Sequence, residues 1–201
     1  MKARTVERLI GASYRENPPE RINGWVLDKD IGNRGAKVYY NKDKGEAAVV
    51  HRGTQGIRDW KNNLVYLATG QEGYKRTSRF ERAERIQNKA EAKYGRDKIT
   101  TIGHSQGAIP ARMLGDDTKR IINVNPAYLL EKPLKNEYTI RSEADVVSAL
   151  YPKGRKQDIV IPAQNRFNLL EEHSYKILDR LGNATIGKGI REPTVQESFR
   201  S

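Results

Sequence analysis

The chain has 201 residues, a length that fits one domain at roughly 100 to 200 residues each and excludes two full ones. It carries 37 Lys and Arg against 25 Asp and Glu, a net charge of +12, and its 36% hydrophobic residues cluster in short runs, which excludes global disorder. There is no cysteine, which excludes disulfides, a thiol nucleophile and cysteine-based metal sites, and three histidines carry all imidazole chemistry.

Residues 2–14 read as a short amphipathic helix, with Val6, Leu9, Ile10 and Tyr14 near helical spacing and Asn17-Pro18-Pro19 closing it. The same stretch holds Lys2, Arg4, Glu7 and Arg8 and has no apolar run long enough for a secretory leader. No segment of about 18 apolar residues follows, so the expectation is a soluble, cytoplasmic protein. Packaging in a particle or release by lysis would leave the same pattern. Residues 36–41 and 46–52 read as two strands joined by the turn Lys42-Asp43-Lys44-Gly45. Residues 55–74 read as loop with an apolar centre, Leu64-Val65-Tyr66-Leu67, and residues 60–74 are a candidate lid. From 75 to 94 the spacing of Phe80, Ala83, Ile86, Ala90 and Tyr94 predicts a helix stopped by Gly95. Its other face carries Arg82, Arg85, Lys89 and Lys93, either a solvated face or a surface for anionic lipid. Nucleic acid ranks below lipid because interleaved aromatics are absent.

The remainder alternates: strand at 98–102, helix at 106–114, strands at 120–124, 137–141 and 157–161, then a helix over 169–181. That order predicts an α/β fold, a mainly parallel central sheet with helices on both faces, over residues 1–181. Residues 182–201 read as a loosely ordered tail.

The sharpest motif is Gly103-His104-Ser105-Gln106-Gly107, a G-x-S-x-G between the apolar run Ile99–Ile102 and a helix-compatible segment. Strand, tight turn and helix in that order frame a serine nucleophile with free helix N–H groups behind it, where an oxyanion would form. A serine at its free pKa needs a base held by a carboxylate. His104 lies inside the turn and His51 ends a strand, which leaves His173 downstream as the base. Among the intervening acids, Asp116 and Asp117 close a helix, whereas Asp145 follows a strand where the chain leaves the sheet. Asp145 is the favoured acid and Asp158, at a strand start, the runner-up. Metal chemistry finds little support: H-E-x-x-H is absent and Asp28-Lys29-Asp30 lacks the rest of a calcium loop.

His51-Arg52-Gly53-Thr54, Asp59-Trp60, Gly103 to Gly107, Ala144-Asp145-Val146-Val147 and Glu172-His173-Ser174, in this order, resemble the class 3 lipase family of α/β-hydrolases. The resemblance covers roughly residues 6–180; Gln106 and Ala108 stand where that family usually has leucine and glycine. It implies Ser105 as nucleophile, Asp145 as orienting acid, His173 as base, Thr54 and Gln106 as oxyanion donors, and no cofactor. The implied activity is hydrolysis of carboxylic esters, as a lipase or phospholipase acting on acyl lipid, with an anionic membrane surface as a partner. A thioesterase or amidase with the same triad is an alternative reading. Another is a catalytically silent, lipase-like module that docks onto an anionic partner or assembly.

Overall fold

The computed structural model describes residues 1–53, 70–127, 134–147 and 157–187. Among these residues a single sheet of eight strands runs in chain order: β1 (Arg21–Ile22), β2 (Trp25–Gly32), β3 (Ala36–Asn41), β4 (Glu46–His51), β5 (Ile99–His104), β6 (Arg120–Val124), β7 (Glu137–Ser142) and β8 (Asp158–Ile161). β1 to β4 pair antiparallel through tight connections, and β4 to β8 pair parallel. The parallel half needs crossovers, and two of the helices supply them: α2 (Ser78–Tyr94) lies between β4 and β5, and α3 (Ala108–Leu114) between β5 and β6.

Period-two alternation along β4 divides the interior. Ala48 and Val50 join α1 (Ala3–Ser13) in one core, with Val6, Leu9 and Ile10 from the helix and Ile177 and Leu178 from the end of the chain. Ala47 and Val49 face the other side, where Ile86 and Ala90 of α2 cover them. Helices therefore bury both faces, as parallel strands require.

The expected elements recur with informative differences. The segment read as one helix from 75 to 94 is interrupted: residues 70–75 are helical, and Thr77 then caps α2 by accepting from the Phe80 N–H at 3.2 Å. Residues 169–181 are also not one helix. α4 (Leu169–Glu172) ends at His173, and Ser174 caps a separate 3-10 segment, Tyr175–Leu181. The tail reading needs correction for residues 182–187. Thr185 bridges to Lys2, Ile186 is fully buried, and the Ile186 N–H reaches the Met1 carbonyl at 2.8 Å. Apolar burial against the first helix fixes this stretch; residues 188–201 lie outside the described residues.

Candidate active site

Five parallel strands end along one edge, and the side chains singled out from the sequence gather there. The Gly103–Gly107 turn follows β5. Ser105 sits at φ 52, a left-handed conformation that a side chain adopts only when its surroundings impose it. The flanking glycines impose it through close approach. A Cβ on Gly103 would lie 2.5 Å from the Ala108 Cα, and one on Gly107 would lie 2.2 Å from the His51 carbonyl oxygen. Glycine at both positions thus lets β5 turn directly into α3 against the end of β4.

His173 faces that serine. Its Nδ1 lies 2.8 Å from Oδ1 of Asp145, and its Nε2 lies 2.9 Å from the Ser105 Oγ. An ionised carboxylate only accepts, so Nδ1 carries the proton, and in the neutral ring Nε2 offers its lone pair to the serine hydroxyl. Asp145 is almost fully buried on the loop leaving β7, and the Val147 N–H also donates to its Oδ1 at 3.2 Å. Asp158, the runner-up, pairs with Thr139 at the start of β8, the opposite edge of the sheet from Ser105. Asp116 and Asp117 follow α3 and lie away from His173.

Gln106 is buried, and its Oε1 accepts from the Arg79 Nη1 at 3.3 Å. The side chain therefore points at an arginine on α2, and the residue's main-chain N–H lies beside the serine. Thr54, Asp59 and Trp60 lie outside the described residues, as do residues 60–69 of the candidate lid. The described end of that segment, 70–74, is helical and anchored: Tyr74 is buried with its ring edge-on to Phe80 at 6.0 Å. Asp28, the acid considered for calcium, instead receives Lys93 Nζ at 2.8 Å and Tyr94 Oη at 2.6 Å. Among the described residues no cluster of carboxylates and imidazoles suits a metal ion.

Three supporting groups escaped sequence reasoning. Tyr14, at the end of α1, accepts from the Gly53 N–H at 2.9 Å and lies 2.6 Å from His104 Nδ1. The other His104 nitrogen faces the His173 carbonyl oxygen at 3.0 Å and must donate to it. Nδ1 of the neutral ring then accepts from the Tyr14 hydroxyl, which completes a directed chain from the Gly53 N–H to the backbone of His173. Burial, with the neighbouring His173 adding to it, pushes His104 down to about 4, so the ring stays neutral and the chain keeps its direction. Burial likewise pushes the Tyr14 hydroxyl up to about 12. Helical spacing marks Tyr14 as an inward residue but says nothing of its hydroxyl. Tyr14→Phe is expected to cost about 1–3 kcal/mol in thermal unfolding, because it leaves buried groups without partners.

The second group is Asn125, at φ 42, whose Nδ2 donates to the carbonyls of Glu172 at 2.8 Å and Ser174 at 3.2 Å. Its Oδ1 accepts from the Ser142 N–H at 3.0 Å, so one amide ties the exits of β6 and β7 to the histidine loop. The third is Glu172, fully buried, which receives both ends of the Arg180 guanidinium at 2.9 and 3.0 Å. The Gln164 and Asn165 N–H groups at 3.0 Å and the Ser142 hydroxyl also donate to it. The Arg180 guanidinium above all holds its carboxyl down at about 2. An asparagine just past a strand and an acid next to His173 are the only traces of these roles in the sequence.

No protein-family model matches the sequence, and no curated protein matches it. Solved structures do match in fold. A deletion mutant of the Rhizomucor miehei lipase propeptide complex superimposes with a TM-score of 0.52 at 13% identity, covering 80% of this chain and 66% of that one. The native complex gives 0.50 at 13%, covering 75% and 62%. The chain has an α/β-hydrolase fold. It spans less than two thirds of those lipase chains. A triacylglycerol lipase from Penicillium expansum aligns at 15% identity over 75% of this chain and 72% of that one, with a TM-score of 0.47. In an α/β-hydrolase fold the carboxyl edge of the parallel strands is where ligands bind, and that edge carries Ser105, Asp145 and His173.

Proposed function

We propose that the protein is a serine-dependent hydrolase of carboxylic esters that acts on acyl lipids. The observation that carries this reading is the unbroken hydrogen-bond chain from Asp145 through His173 to Ser105, with the serine held in a left-handed turn ahead of α3. His173 takes the hydroxyl proton as Ser105 Oγ attacks the ester carbonyl, and the same proton passes to the leaving alkoxide as the C–O bond breaks. Water, deprotonated by His173, then attacks the acyl-enzyme and releases the acid. We assign the oxyanion to the main-chain N–H of Gln106, with Thr54 proposed as the second donor. The chemistry uses side chains and water and calls for no cofactor.

The lipid part of the reading rests on apolar exposure beside the acid and the base. Val146, next to Asp145, is 57% exposed; Phe167 and Leu170, shortly before His173, are 98% and 75% exposed. Exposed apolar side chains on the segments that carry the acid and the base suit an acyl chain or a lipid surface better than water. A Phe167→Ser, Leu170→Ser double variant is expected to lose about tenfold in hydrolysis of emulsified lipid. It should keep its rate on a short water-soluble ester, both followed by acid release. Equal losses on the two substrates would remove the lipid assignment.

Labelling with a fluorophosphonate, with the adduct located by mass spectrometry, tests the core of the proposal. The expected adduct is on Ser105 and is absent in Ser105→Ala and His173→Ala. A folded protein that takes up no label, with or without lipid vesicles, would favour a silent lipase-like module.

A further inference from the structure

Beside the serine, on the far side of one glycine, lies a cavity of about 230 Å³. Its wall comes from the strand ends and from α2: Arg34, His51, Arg52 and Gly53 on one side, Arg79 and Arg82 on the other. Arg52, Arg79 and Arg82 line it, and no described lining residue is acidic. Arg34 meets Glu16 outside the cavity in a solvent-exposed pair, and Arg79 donates to two neutral acceptors, Gln106 Oε1 and the Arg52 carbonyl. The cluster thus has a surplus of positive charge that no acid lining the cavity among the described residues neutralises.

His51 forms part of this wall and is 1% exposed, its ring held beside the Gln87 side chain. Burial above all, with the neighbouring Arg79 adding to it, holds the ring neutral, so the charge of this wall is that of the arginines.

Gly53 connects this cavity to the serine. It lines the cavity, its N–H is fixed on Tyr14, and a Cβ on it would meet the Ser105 Cβ at 3.0 Å. An anion held by the arginines is therefore one residue away from the reacting serine.

We infer that this cavity is a subsite for the phosphate group of the substrate, making the enzyme selective for acyl esters that carry a phosphate near the ester. The inference rests on the ester-hydrolase reading for its substrate, and on the arginine cavity alone for its anion. Guanidinium forks match phosphate oxygens in geometry as well as charge. A volume below that of ordinary whole-ligand pockets suits a headgroup and leaves the acyl chain to the apolar rim.

The test compares hydrolysis of lysophosphatidic acid with that of the monoacylglycerol of the same chain, in wild type, Arg52→Gln and Arg82→Gln, each checked for its folded circular-dichroism spectrum. The expected result is a kcat/KM preference of about tenfold or more for the phosphate-bearing ester, falling severalfold or more in each variant. Turnover of both esters with no preference, or with a preference the variants retain, overturns the subsite and leaves the hydrolase reading standing. Inorganic phosphate provides the second arm, read as a rise in unfolding temperature. If phosphate stabilises wild type and not Arg82→Gln while the esters are turned over equally, the cavity takes free phosphate and the substrate assignment falls. If neither ester is hydrolysed and Ser105 takes no fluorophosphonate, the hydrolase reading fails, and the phosphate arm alone then decides whether the cavity binds an anion. No thermal response to phosphate in that case overturns the site.

Discussion

Asp145→Asn is expected to lower ester turnover by about four orders of magnitude while leaving the unfolding temperature within a few degrees of wild type. The carboxylate accepts the Nδ1 proton of His173 at 2.8 Å, which fixes the tautomer whose Nε2 faces the serine at 2.9 Å. An amide can present its NH2 to the same nitrogen instead. The ring then carries its proton on Nε2, and the serine hydroxyl meets a donor where it needs a base. The lost charge also removes stabilisation of the imidazolium that forms during attack. Steady-state hydrolysis of a soluble ester, set beside the thermal midpoint, separates this from unfolding. A loss below about tenfold would assign the acid's role elsewhere.

Glu172→Ala is the substitution expected to cost the most stability, about 3–5 kcal/mol, because it leaves the Arg180 guanidinium without its carboxylate and frees the turn that carries His173. For a chain of this size that corresponds to a midpoint lower by about 10 °C. Removing Arg180 together with Glu172, as Glu172→Gln with Arg180→Met, should recover much of the loss, since no buried charge then stands alone. Acid has the same target. With the folded carboxyl held at about 2 against an ordinary value of 4.5, the contribution is complete above 4.5 and drains as pH falls from there towards 2. A urea midpoint that falls between pH 5 and 3 in wild type, and falls less in the double variant, is the expected signature.

The frame of this protein is legible in its sequence where local chemistry and tertiary context agree. β3 and β4 stand at Ala36–Asn41 and Glu46–His51 because the residues alternate about a turn whose Gly45 adopts φ 60. β2 is not legible in the same way. Its run Trp25–Gly32 is broken by Asp28-Lys29-Asp30, where the register shifts against β3 and the Asp28 carboxylate accepts from the Asp30 and Ile31 N–H groups. Charged residues in a bulge look like loop to any periodicity argument. The break at His173 is invisible for a related reason: Ile177 and Leu178 suit an α-helix and a 3-10 turn equally, and what ends α4 is a buried glutamate bound to distant groups. For the site, Ser105, Asp145 and His173 could be read from motif and order, whereas Tyr14 and Asn125 act through partners far along the chain. The basic face of α2 shows the limit of reading one helix alone. Arg82 reaches the cavity by His51, while Lys93, about 16 Å further along the axis, pairs with Asp28.

The packing of α1 has a consequence for how the molecule is made. Val6, Leu9 and Ile10 bury themselves partly against Ile177 and Leu178, and the Tyr14 ring stacks on Tyr175 at 5.8 Å. During synthesis the first helix emerges early and must wait for more than 160 residues of chain before the segment that covers it exists. Long-range closure of this kind is slow, and here it coincides with the arrival of His173, which emerges only just ahead of that segment. The Ser105 to His173 link is thus completed only in this late event, and a partly made chain holds its serine without its base.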